Sequence, residues 1–205
     1  MKTYVRNLRA IAVFAFVLLL TACTNPEDNP IYMTRESYQA YPHIENETVV
    51  EETDNYKIVL ADYLYYYYIL DDGELVKTEG PITKRPNITM IEETLIKVVI
   101  QGGTGIGTLY GYYYDTAHNS FSQIIPCIRD ENKGLVVYTE SGKVIVKDIF
   151  DKQRYYFEIS EFSSPFSKVV TPITNAELSN DNSSVTVTYL TGEKYDEVTE
   201  KFFLP

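Results

Sequence analysis

From Tyr56 onward, no window of eleven or more residues keeps an apolar face at i, i+3, i+4 spacing without a Gly or Pro interrupting it. What the region offers instead is short runs of aromatic and β-branched residues, the types that suit a pleated, half-buried surface. Such runs predict strands at Tyr56–Leu60, Tyr63–Leu70, Glu74–Lys77, Ile88–Ile91, Leu95–Gln101, Leu109–Asp115 and Phe121–Ile125. The series continues at Leu135–Thr139, Lys143–Asp148, Tyr155–Glu161, Val185–Leu190 and Val198–Leu204. Turn formers separate them: Asp71-Asp72-Gly73, Asn132-Lys133-Gly134, Ser141-Gly142, Ser163-Ser164-Pro165, Asn180-Asp181-Asn182 and Thr191-Gly192. Residues 55–205 therefore read as one all-β domain, an antiparallel meander.

The chain ahead of it has a different composition. Residues 24–54 hold eight acids, one base (Arg35), three Pro and few aliphatics, so they carry a net charge of -7. A segment of this kind buries too little apolar surface to offset the entropy of ordering, and residues 23–54 read as a disordered acidic tether. About 30 residues of coil span on the order of 30 Å. Earlier still, Lys2, Arg6 and Arg9 precede an eleven-residue apolar run, Ala10–Leu20. That run is shorter than the ~20 residues a bilayer span requires, and it matches the apolar core of an export signal helix over residues 1–22.

The run ends in Leu20-Thr21-Ala22-Cys23. These four residues resemble the lipobox of bacterial lipoproteins, in which the signal is cut before the Cys and the thiol receives a diacylglycerol. The resemblance implies that Cys23 is the first mature residue and the lipidation site. It further implies a palmitate-bearing anchor in a bacterial cell membrane, with the protein outside the cytoplasm. Stable anchoring takes two membrane signals, which two acyl chains on one Cys supply. Removing residues 1–22, which hold three bases and no acid, leaves 15 Lys+Arg against 29 Asp+Glu, or -14. Cys127 is then the one other cysteine, without an intramolecular thiol partner; its apolar neighbours Ile124, Ile125 and Ile128 predict a buried structural thiol.

A loose repetition runs through the β region. Strand–turn–strand units recur with their turns anchored at Asp71, Asp115, Asp151 and Gly192, at spacings of 44, 36 and 41. This resembles the blade pattern of bacterial β-propellers, where a short polar turn joins the outer strands of a blade. The resemblance implies propeller-like units, with a β-sandwich of two packed sheets as the competing architecture.

Motifs that carry chemistry are few. A net charge of -11 opposes nucleic-acid binding, which relies on Lys and Arg against phosphates. Gly102-Gly103-Thr104-Gly105-Ile106-Gly107 lacks the Lys of a phosphate loop and runs into a strand, so it reads as a hairpin connection. His43 lies in the tether and His118 in a polar turn. No metal-ligand spacing, nucleophile elbow or cofactor motif occurs, and neither a catalytic residue nor a cofactor is expected. Among many carboxylate pairs, Asp148 and Asp151 flank an apolar dipeptide and read as a turn cap.

The tyrosine clusters remain. Alternate residues of a strand share a face, which groups Tyr65 with Tyr67 and Tyr112 with Tyr114. These four are the candidate ligand or partner surface, an exposed aromatic row, with cross-strand packing as the competing role. The expectation is a lipid-anchored, non-catalytic binding module. Its alternatives are a protein recognising carbohydrate or peptidoglycan, and a structural or regulatory subunit of an envelope complex.

Overall fold

A computed structural model of the protein describes residues 32–33, 47–102, 109–150, 155–169 and 171–205. Cys23, His43, Gly103–Gly107 and Asp151 lie outside the described residues. The described chain is all-β, built of four antiparallel sheets, with one three-residue 3-10 turn at Thr116–His118.

The first sheet holds β1 (Tyr32–Met33), β2 (Thr48–Glu52), β3 (Tyr56–Ala61), β4 (Leu64–Asp71) and β5 (Glu74–Ile82), in the order β1-β5-β4-β3-β2. The second holds β6 (Asn87–Glu92), β7 (Leu95–Gln101), β8 (Leu109–Asp115), β9 (Ser120–Phe121) and β10 (Ile125–Pro126), in the order β10-β8-β7-β6, with β9 also paired to β8. The third is a meander of β11 (Ile128–Asn132), β12 (Leu135–Glu140), β13 (Lys143–Asp148) and β14 (Tyr156–Ile159). The fourth is β15 (Ile173–Leu178), β16 (Ser184–Thr191) and β17 (Asp196–Phe203).

Local chemistry sets the hairpins. Asp72-Gly73, Lys133-Gly134 and Ser141-Gly142 each place two successive residues at positive φ, the geometry of a type I′ turn, which matches the twist of the strands it joins. Successive sheets then bury one another in sequence order. Ile58, Tyr67 and Ile69 of the first sheet pack with Ile96, Val98, Tyr112 and Tyr114 of the second. Leu95, Tyr113 and Ile125 of the second pack with Val136, Tyr138 and Ile145 of the third. Val137, Val144 and Val146 of the third pack with Ala176, Val185, Val187 and Tyr189 of the fourth. Each middle sheet is thus buried on both faces, which is why Tyr112, Tyr113 and Tyr114 of β8, and Val144, Ile145 and Val146 of β13, are apolar or aromatic in succession rather than alternating with polar residues.

Three expectations are corrected. Thr48–Glu52, inside the segment read as tether, is a strand paired with β3. Its Glu residues discourage a strand assignment by propensity, yet charged side chains are common guards on an edge strand such as this. Phe121–Ile125 is not one strand: Ser120–Phe121 and Ile125–Pro126 pair separately with β8. Cys127 is half-buried rather than buried. It sits at φ +41° where the chain passes between sheets, its N–H bonded to Leu109 O (2.6 Å) and its carbonyl accepting from Thr139 N–H (3.2 Å). The strands β11 and β15 escape the sequence reading altogether, since Arg129-Asp130-Glu131 and Thr174-Asn175 interrupt their apolar runs.

Candidate functional site: a tyrosine–carboxylate seam beneath an acidic cleft

The four candidate tyrosines come together, but inside the molecule. Tyr65 and Tyr67 do share a face of β4, and Tyr112 and Tyr114 a face of β8; both faces turn into the seam between the first and second sheets. Tyr67 and Tyr114 have no exposed surface and Tyr112 has 2%. The exposed aromatic row is therefore corrected: three of its four tyrosines are buried and Tyr65 is half-buried. Each sheet presents an aromatic face, and each face is removed from water by the other, the solution that hydrophobic area favours.

Burying phenols makes their hydroxyls a liability unless each finds a partner. Tyr67 stands opposite Glu79 in the β4–β5 register, and its hydroxyl donates to Glu79 Oε2. The same hydroxyl is 3.0 Å from the hydroxyl of Tyr112. Glu79 is fully buried, and its other oxygen lies 2.7 Å from Lys77 Nζ. Lys77 reaches this position beside Tyr112, with its ammonium 3.9 Å from the ring centroid and 4.9 Å from that of Phe121. The buried carboxylate is thus met by one cation and one phenol, and the cation in turn by two ring faces, the arrangement a charge pair needs in a dry interior. Burial, then the neighbouring Tyr112 and Glu79, holds the Tyr67 hydroxyl well above the ordinary tyrosine range.

The seam opens at one end. The Asp72-Gly73 turn of the first sheet and the Thr116–Asn119 turn of the second flank a cleft of about 500 Å³. Asp71, Asp72, Glu74, Val76, Tyr114, Asn119 and Phe121 line it. These are two of the turns that the spacing of strand–turn–strand units singles out. The Tyr114 hydroxyl, 3.1 Å from Asp71 Oδ2 and 3.0 Å from Asn119 Oδ1, ties one turn to the other. Burial, helped by Asp71, pushes that hydroxyl up to about 12. Phe121 stacks on Tyr114 at 4.5 Å and is 39% exposed, so it forms an aromatic wall of the cleft. Sequence reading misses Phe121, Lys77 and Glu79 as site residues, because nothing in a strand's own pattern shows which neighbour its side chains meet.

The other candidates hold structural places. His118 Nδ1 is 2.7 Å from Asp115 Oδ2, a contact that closes the 3-10 turn, and its side chain is two-thirds exposed. Asp148 is buried at the end of β13, its N–H bonded to Tyr155 O. Among the described residues no group of three or more His, Cys, Asp or Glu is placed to hold a metal ion. A second open groove of about 670 Å³ lies between edge strands β2 and β6, where Glu51 accepts from Arg85 and, within its own sheet, from Tyr56 Oη at 2.6 Å.

No family model matches this sequence, and no curated protein is similar to it. Among solved structures, the chain is similar to the crystal structure of the computationally designed Ika4 protein, at a TM-score of 0.37 and 11% identity. The similarity covers 80% of this chain and 94% of that one. A likeness of that size defines neither the fold nor an activity.

Proposed function

We propose that the protein is a bacterial lipoprotein, anchored outside the cytoplasm through acylated Cys23, whose β domain is a non-catalytic binding module. The observation that carries the reading is Leu20-Thr21-Ala22-Cys23 directly after the apolar run Ala10–Leu20. The four sheets act in this reading as propeller-like units of an open array, and the acidic cleft over the first seam is the contact site. The partner is an envelope protein or a wall glycan, not nucleic acid. Metabolic labelling with a palmitate analogue tests the anchor. The label is expected on the wild-type chain and absent from Cys23→Ser; label retained by that variant overturns the assignment.

A second reading, recognition of carbohydrate or peptidoglycan, is favoured by the lining of the cleft. Three carboxylates and the Asn119 amide suit sugar hydroxyls, and Phe121 supplies an apolar wall. Titration with a panel of muropeptides, followed by tyrosine fluorescence, tests it. Binding that Phe121→Ala weakens at least tenfold supports the reading, and an unchanged spectrum across the panel removes it.

A further inference from the structure

The two edges of the fourth sheet are finished in opposite ways. On the β15 side, three outward backbone groups are satisfied by the third sheet: Leu178 N–H donates to Asp130 Oδ2 at 2.7 Å, and Arg129 donates to the carbonyls of Ile173 (3.0 Å) and Thr174 (3.4 Å). On the β17 side, no backbone partner beyond β16 occurs among the described residues. Leu204 N–H donates to Ser183 O, so even-numbered residues of β17 direct their backbone groups to β16. Glu197, Thr199, Lys201 and Phe203 direct theirs to the free edge.

Free edges are usually short, bulged or covered. The other edges among the described residues obey that rule: β1 and β10 have two residues, β14 has four, and β2, β6, β11 and β15 each carry a register shift. Only β17 among them runs eight residues in unbroken register. It also carries the most exposed phenylalanine among the described residues, Phe203 at 73%.

Its sequence is self-complementary. Antiparallel pairing with an identical strand about Thr199 sets Glu197 opposite Lys201, Lys201 opposite Glu197, and Thr199 opposite Thr199. All of these residues have edge-directed backbone groups, so the side-chain match and the hydrogen-bond ladder agree in one register. Shifting the axis to Val198 or Glu200 keeps the ladder but sets the charges against Thr, Tyr or Phe. We propose that two copies of the chain associate through β17, paired antiparallel about a two-fold axis at Thr199, so that their fourth sheets form one continuous sheet. The exposed Phe203 of each copy then lies beside the turn that holds the exposed Tyr195 of the other.

The test is sedimentation of the protein in detergent, with the chain mass found by mass spectrometry on the same sample as reference. A species of twice the chain mass is expected for the wild type. Lys201→Glu and Glu197→Lys should each shift it to monomer, and the double variant should restore the dimer, which separates lost pairing from lost folding. Oxidative cross-linking fixes the register in a background of Cys23→Ser and Cys127→Ser. Thr199→Cys should join two chains, because facing residues of a hydrogen-bonded pair have Cα atoms about 5.5 Å apart. Lys201→Cys should not, its two copies lying four residues, or about 14 Å, apart along the strands at ~3.4 Å per residue. A monomer at every concentration overturns the proposal. So does a dimer indifferent to both charge reversals, a double variant that stays monomeric, or equal cross-linking at the two positions.

Discussion

Tyr67 and Tyr189 invite a direct comparison. Each is fully buried on the middle strand of its sheet, and each gives its hydroxyl to a glutamate on the next strand, Glu79 for Tyr67 and Glu200 for Tyr189. The surroundings then diverge. Glu79 has no contact with water and is held by Lys77, in a seam with three more buried tyrosines. Glu200 is half-buried and takes its remaining bonds from the hydroxyl and N–H of Ser163, with Phe162 and Phe166 packed around Tyr189. A carboxylate near the surface is satisfied by neutral donors and water, whereas one in the interior needs a fixed cation. The first seam is therefore the specified one, and the last gains its stability from valines and phenylalanines that tolerate exchange.

The largest expected effect is the response of the first two seams to alkali. Burial, with Glu79 and Tyr112 beside Tyr67 and Glu131 beside Tyr113, holds both hydroxyls far above the ordinary tyrosine range. A raised folded value means stability that is fully present below the unfolded tyrosine value of about 10 and is lost as pH rises toward the folded one. Tyrosinate absorbance from the buried rings should appear in the same alkaline step that removes the near-ultraviolet dichroism. Phenolate formation with the dichroism intact would break the comparison.

Next in size is Lys77→Met, which strands Glu79 as an unpaired buried charge and should cost about 3–5 kcal/mol in urea unfolding. Adding Glu79→Leu should recover most of that loss. Tyr67→Phe should cost about 1.5–3 kcal/mol, as a bond to a buried charged group, and Tyr189→Phe about 0.5–1.5 kcal/mol. Equal costs for the two would show that burial does not distinguish the seams.

The smallest effect concerns Ser163→Ala, expected below about 1 kcal/mol because its partner is open to solvent. Hydrogen bonds from Ser163, then Tyr189, hold the Glu200 carboxyl below its usual range. That stabilisation is present above the unfolded carboxylate value of about 4.3 and is lost as pH falls through the lower folded one. The variant should therefore narrow its gap to wild type in acid, as read from denaturation midpoints across that range.

Strand content was legible in the sequence where turn chemistry and alternation coincide. Leu95–Gln101, Leu109–Asp115 and Lys143–Asp148 fall at the expected bounds because both ends carry clear breakers or polar residues. β2 was hidden by its acids, and β11 by the side chains it uses to cap β15. The alternation also grouped Tyr65 with Tyr67 and Tyr112 with Tyr114 correctly, yet periodicity does not say whether a face meets water or a second sheet. Only the stacking of sheets decides that, and it turned the expected row inward. The same stacking brings the Asp71-Asp72-Gly73 and Thr116–Asn119 turns to one cleft, a proximity across 43 residues that no local pattern contains.

The most direct measurement is site-specific photo-crosslinking of the full-length chain in the living envelope. A photoreactive residue in place of Phe121, at the cleft, is compared with one in place of Tyr156, exposed on β14. The account predicts a discrete protein or glycan adduct from position 121 and none from position 156. Adducts of equal yield at the two positions, or at 156 alone, would contradict it.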